Sequence, residues 1–90
     1  MPLLAVQGTA DKINPQKYAH RLFRAVGRPK FLLLLRGAGH LPPYTVPGPT
    51  LATVEHVTIA FLDYYLGGGA LAAIANAASK LPRAELTSEP

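Results

Sequence analysis

Two short, unbroken apolar runs constrain this chain most: Leu3-Leu4-Ala5-Val6 and Phe31-Leu32-Leu33-Leu34-Leu35. Neither alternates with polar residues, as a strand with one solvated face would. Each therefore suits a strand covered on both faces, the kind found in parallel sheets between helices. Glycine stops both runs, and beyond each glycine stands one chemically useful side chain: Asp11 after Gln7-Gly8-Thr9-Ala10, His40 after Gly37-Ala38-Gly39. An acid and a base just past strand ends stand where open α/β sheets keep their chemistry.

The segments between the strands read as helices. Asn14 is placed as an N-cap with Pro15 at the first helical position, where its missing N–H costs nothing. The helix is expected to run to about Val26, with Tyr18, Ala19, Leu22, Phe23 and Val26 on the apolar side and Gly27 as its C-terminal cap. Its opposite stripe is Lys17, Arg21, Arg24 and Arg28. Arg36 to Thr50, with three glycines and four prolines, reads as an irregular loop. From Leu51, residues Val54, Thr58, Phe61, Leu62 and Tyr65 repeat at helical spacing until Gly67-Gly68-Gly69. A third, alanine-rich helix is expected over 70–80, with Leu71, Ile74, Ala75 and Ala78 on its apolar face and Leu81 as a further core candidate. Residues 83–90 read as a polar tail. A strand–helix–strand unit of this kind makes a right-handed crossover, which puts both strand ends, with Asp11 and His40, on one edge of the sheet.

Ninety residues make one small domain that buries roughly 60 to 65% of its unfolded surface, so its stability is marginal. The formal charge of +4 is concentrated between Lys17 and Lys30. That stripe has no zinc pattern, RNA-binding motif or interleaved aromatics, and it reads as a solvated helix face rather than a nucleic-acid module. Cysteine is absent, which excludes disulfides, thiolate catalysis and Cys-type metal sites. His20 and His56 fall within helices and, with Asp63, offer no metal-ligand spacing. No metal or cofactor is expected. The Met1–Val6 run is too short for a signal segment, and no stretch reaches transmembrane length, so a soluble chain without a membrane span is expected.

In a Ser-His-Asp arrangement the histidine takes the serine's proton while the acid fixes the imidazole tautomer and stabilises the imidazolium. Asp11 and His40 fit the last two roles. The serines, Ser79 and Ser88, lie late and outside any Gly-x-Ser-x-Gly pattern, and no strained turn presents Thr9 or Thr45. An Asp-His pair without a nucleophile and oxyanion donors supports at most weak general-base catalysis, so negligible esterase activity is expected of the chain alone.

Pro2-Leu3-Leu4 leading to Gly8-Thr9-Ala10-Asp11, then Leu35-Arg36-Gly37-Ala38-Gly39-His40, then Ala60-Phe61-Leu62-Asp63-Tyr64-Tyr65-Leu66, resemble the C-terminal third of α/β-hydrolases of the chlorophyllase, cutinase and dienelactone-hydrolase kind. The resemblance implies an α/β fold of two parallel strands with a crossover and closing helices, occupying 1–82, the C-terminal end of a hydrolase sheet. It implies Asp11 as triad acid and His40 as general base of a serine ester hydrolase whose full-length form acts on an ester-type small molecule. Leu41 and Tyr44, just after the histidine, are candidates for lining an acyl pocket, with loop packing the other account of them. A stand-alone binding or dimerisation module is the alternative. An unpaired apolar parallel edge is expected to make the isolated chain self-associate, and a monomeric, cooperatively unfolding chain would instead favour the stand-alone module.

Overall fold

The computed structural model describes all 90 residues. Strand β1 (Leu3–Gly8) leads to helix α1 (Gln16–Ala25), strand β2 (Lys30–Leu35), a short helix α2 (Pro42–Thr45) and a long helix α3 (Pro49–Leu62). A π-helical turn over Asp63–Gly67 extends α3, and helix α4 (Ala72–Ala78) and strand β3 (Ala84–Glu89) complete the chain. The architecture is a small α/β fold around a three-stranded mixed sheet of order β1-β2-β3. No helix is long and apolar enough to cross a membrane.

The uniformly apolar β2 is the central strand, and all six of its residues are buried. It runs parallel to β1, with Leu3 opposite Lys30 and Gly8 opposite Leu35, so the two strands end level. Successive side chains alternate between faces. Phe31, Leu33 and Leu35 join Val54, Val57, Phe61, Ile74, Ala78 and Leu81 in the main core under α3 and α4. Leu32 and Leu34 meet Phe23 of α1 on the other face. Phe31 and Phe61 pack edge to face with ring centres 5.6 Å apart, an arrangement the ring quadrupoles favour.

The residues expected to form a polar tail, 83–90, instead supply the third strand. β3 pairs antiparallel with β2, from Ala84 opposite Leu35 to Glu89 opposite Lys30. Ala84 and Leu86 pack against the main core, while Glu85 and Glu89 meet Arg36 and Arg28 at 3.2 and 3.3 Å. With two apolar residues in six, the strand's sequence reads as polar although one side of it is packed. The fold is therefore a three-stranded mixed sheet and not two parallel strands alone.

Helix α1 also departs from expectation. Phe23 is buried and Ala19 and Val26 are half-buried, but Tyr18 and Leu22 are 48% and 47% exposed. No strand lies beyond β1, so the half of the apolar stripe that overhangs that side has nothing beneath it. Together with Leu3, Leu4, Ala5 and Val6 the two side chains line an open apolar groove. Pro15, not Asn14, occupies the N-cap position, because Asn14 is engaged in the preceding loop. Gly27 does not close the helix either. Val26 is the capping residue, in extended conformation, and the Lys30 ammonium donates to the carbonyls of Phe23 at 2.7 Å and Val26 at 2.9 Å. A cation on the last carbonyls satisfies orphan acceptors and opposes the negative end of the helix dipole.

The loop expected over 36–50 contains α2, and α3 begins two residues earlier than the sequence spacing indicates, at Pro49. The glycine triplet does end the helix: Gly68, with φ of 82°, is the left-handed cap. In α4, Ile74 and Ala78 are buried as expected, but Leu71 and Ala75 are exposed.

Candidate functional site

Because β1 and β2 are parallel neighbours in level register, the loops that follow them lie side by side. Backbone hydrogen bonds join them: Thr9 N–H donates to Leu35 O at 3.1 Å, and Ala10 N–H to Ala38 O at 3.0 Å. The Thr9 hydroxyl oxygen accepts from Gly37 N–H at 2.9 Å. The approach is tightest at Gly8, where a Cβ would lie 2.8 Å from Gly39 O and closer still to Ala38 O, so only glycine fits there. Gly37, with φ of 76°, makes the turn out of β2.

This closure brings Asp11 and His40 together across 29 positions of sequence. His40 Nδ1 lies 2.7 Å from Asp11 Oδ2. The other carboxylate oxygen, Oδ1, accepts from Ile13 N–H at 2.9 Å and Asn14 N–H at 2.8 Å. The Asp11 side chain is 6% exposed and that of His40 is 40% exposed. The acid is thus enclosed and the base stands at the surface.

Burial pushes the Asp11 carboxyl up, but hydrogen bonds from Asn14, His40 and Ile13, with the charge of His40, outweigh it and hold the group below its ordinary value. Asp11 is then an ionised acceptor at neutral pH, which requires the proton of a neutral His40 to sit on Nδ1. Nε2 is left with a free lone pair and no hydrogen-bond partner in the protein. An oriented imidazole with its outer nitrogen unprotonated can accept a proton from a hydroxyl or water placed against it.

Leu41 and Tyr44 occupy different surroundings. Leu41 precedes α2 and is 59% exposed. The Tyr44 hydroxyl donates to Val6 O at 3.2 Å, which straps α2 to the outer edge of β1. Burial, and secondarily the negative charge of Asp11, raise its phenol above the usual value. An open cavity of about 330 Å³ lies at the end of β2, bounded by Arg36, Gly37, Gly39, Pro43, Pro49 and Arg83 among others. None of Asp11, His40, Leu41 and Tyr44 lines it.

Sequence reasoning assigned no role to Gln7 or to the backbone of Asn14, which hold the acid loop in place. The one available signal was a polar residue directly continuing an apolar run. His20 bonds Gln16 of its own helix at 3.3 Å, and His56 is exposed on α3. No group of three or more acidic, histidine or cysteine side chains converges in a way that would hold a metal ion. No family model, curated protein or solved structure matches this chain.

Proposed function

We propose that this chain is the C-terminal part of a serine ester hydrolase of the α/β-hydrolase kind, supplying Asp11 as the triad acid and His40 as the general base. The observation that carries the reading is the 2.7 Å contact between His40 Nδ1 and Asp11 Oδ2 at the level ends of two parallel strands. The acid, oriented by two further backbone donors, fixes the tautomer, and Nε2 faces outward to receive a nucleophile's proton. No residue of these 90 has the setting of a serine nucleophile, so the seryl hydroxyl and the oxyanion donors belong to an upstream segment. The substrate class is a carboxylic ester or related acyl compound, with Leu41 and Tyr44 beside its acyl portion.

An activated ester such as p-nitrophenyl acetate tests this directly. The 90-residue chain should hydrolyse it no faster than its His40→Ala variant. The same chain extended upstream to include a Gly-x-Ser-x-Gly segment should turn it over, and Asp11→Asn should lower kcat by about 10⁴-fold, the loss expected of a wrongly held tautomer. Turnover by the short chain that disappears in His40→Ala, or turnover by the extended chain that ignores His40, contradicts the reading.

A second reading, a stand-alone binding or dimerisation module, is favoured by the open apolar groove beside β1. As a hydrolase fragment the isolated chain self-associates through that edge, and a sharp, monomeric, cooperatively unfolding species would favour the stand-alone module.

A further inference from the structure

We propose that Gln7 is the positioning residue of the Asp11–His40 pair, acting through Asn14; this rests on the hydrolase reading above for its purpose, though not for its test. Gln7 directly continues the apolar Leu3–Val6 run and is only 2% exposed. A buried amide costs free energy unless its donors and acceptor are satisfied. Here they are, and almost all of its partners lie in one place. Nε2 donates to Asn14 O at 2.7 Å and to Gly8 O at 2.9 Å, and Oε1 accepts from Asn14 Nδ2 at 3.3 Å. Gln7 therefore grips Asn14 by both its carbonyl and its side chain.

Asn14 passes that grip to the acid. Its N–H donates to Asp11 Oδ1 at 2.8 Å, leaving Oδ2 for His40 at 2.7 Å. A continuous polar chain thus runs from a strand residue paired opposite Leu34, through the loop, to the imidazole. The loop needs such an anchor. Lys12, Ile13 and Asn14 are exposed, Ile13 at 76%, so no apolar packing fixes the carboxylate's rotation. Gln7 is the one β1 side chain that bonds to it. Asn14 is itself solvated, so water can take over its groups when Gln7 is replaced by an apolar side chain of similar volume. Gln7→Met should therefore spare the sheet and free the loop.

The test is the ¹⁵N spectrum of the deprotonated His40 imidazole in the 90-residue chain, recorded above the ring's titration range, in solution or on sedimented protein, and assigned with His40→Ala. The wild type should show a single tautomer with Nδ1 protonated and Nε2 bare. Asp11→Ala, which removes every side-chain partner of Nδ1, supplies the spectrum of an untethered ring. Gln7→Met should move His40 toward that spectrum while hydrogen exchange at the β2 amides stays slow and the His20 and His56 signals stay unchanged. A wild-type tautomer in Gln7→Met overturns the proposal. If Gln7→Met loses protection in β2, Asn14→Gly decides, because this exposed position removes one of the gripped groups without touching the core: relaxation of the tautomer supports the proposal and an unchanged spectrum overturns it. Should Asp11→Ala itself leave the His40 spectrum unaltered, the acid-base pair fails and the hydrolase reading falls with it. An effect of Asp11→Ala but not of Gln7→Met removes the positioning role alone.

Discussion

The two edges of the sheet are built differently. At β3 the strand carries Glu85, Thr87, Ser88 and Glu89, with the two carboxylates tied to Arg36 and Arg28. Charges and polar side chains of this sort discourage a further strand from adding. At β1 the residues are Leu3, Leu4, Ala5 and Val6, flanked by the exposed Tyr18 and Leu22 of α1. Leu3 N–H donates to Pro29 O and Thr9 N–H to Leu35 O, so by the alternation of a parallel ladder the amides of Leu4 and Val6 point away from β2. On that side the Tyr44 hydroxyl caps Val6 O and Gln7 Nε2 caps Gly8 O. One edge terminates the sheet, and the other has the chemistry of an interior strand. The Asp11–His40 pair stands at the end of the second kind, where another strand's loop would arrive beside it.

The largest expected effect comes from removing the guarded edge. Truncation after Pro82, harmless if 83–90 were a tail, should abolish cooperative thermal unfolding by uncovering β2; a retained sharp transition would show that β3 contributes little. Gly8→Ala should follow, costing about 1 to 3 kcal/mol in denaturant unfolding as the Ala38 and Gly39 carbonyls are forced outward. Its counterpart Gly27→Ala, with open space around the glycine, should be close to neutral.

A matched pair of prolines sharpens the contrast. Leu4 and Ser88 both have outward-pointing amides, since Arg36 N–H donates to Arg83 O and sets the alternation along β3. Proline at either should therefore keep the ladder to β2. If the chain self-associates through β1 as proposed, Leu4→Pro should dissociate it in sedimentation velocity, whereas Ser88→Pro should leave its size unchanged. Equal behaviour of the two variants would erase the difference between the edges.

A smaller effect is expected in the pH dependence of stability. The Asp11 carboxyl is held below its ordinary value in the folded state, so its contribution is complete above the unfolded value near about 3.9 and is lost as pH falls through the folded one. The part of the stability difference between wild type and Asp11→Asn that comes from ionising the Asp11 carboxyl should be complete above about pH 5. Below about pH 4 it should narrow; a difference that widens on acidification would reverse the sign of the interaction. Smallest is Glu85→Gln, which breaks a half-exposed ion pair with Arg36 and should shift stability by about 0 to 1 kcal/mol.

The central elements were legible because their signal is local. Five consecutive apolar residues at 31–35 announce a covered strand, and glycine after each run announces the loop that carries Asp11 or His40. The meeting of those two residues followed from topology, since parallel neighbours with a crossover must end on the same side. What escaped depends on neighbours distant in sequence. β3 has only Ala84 and Leu86 as apolar residues, and its partner strand lies some fifty positions earlier. Tyr18 and Leu22 have the spacing of core residues, and their exposure follows from there being no strand beyond β1. Lys30, which the sequence marks only as the end of the basic segment, is buried against the end of α1, 4.7 Å from the Phe23 ring centre. Gln7 gave no pattern of its own, because its partner, Asn14, sits in an irregular loop.

The proposed hydrolase reading rests on an acid-base pair whose nucleophile would be carried by a segment encoded before this chain. Translating the DNA immediately upstream of the Met1 codon in all frames tests it most directly. A strand followed by Gly-x-Ser-x-Gly, in frame or one shift away, is the result expected of a hydrolase whose last strands are these. Upstream sequence with no such elbow in any frame would contradict the account and leave the open β1 edge as the leading functional surface.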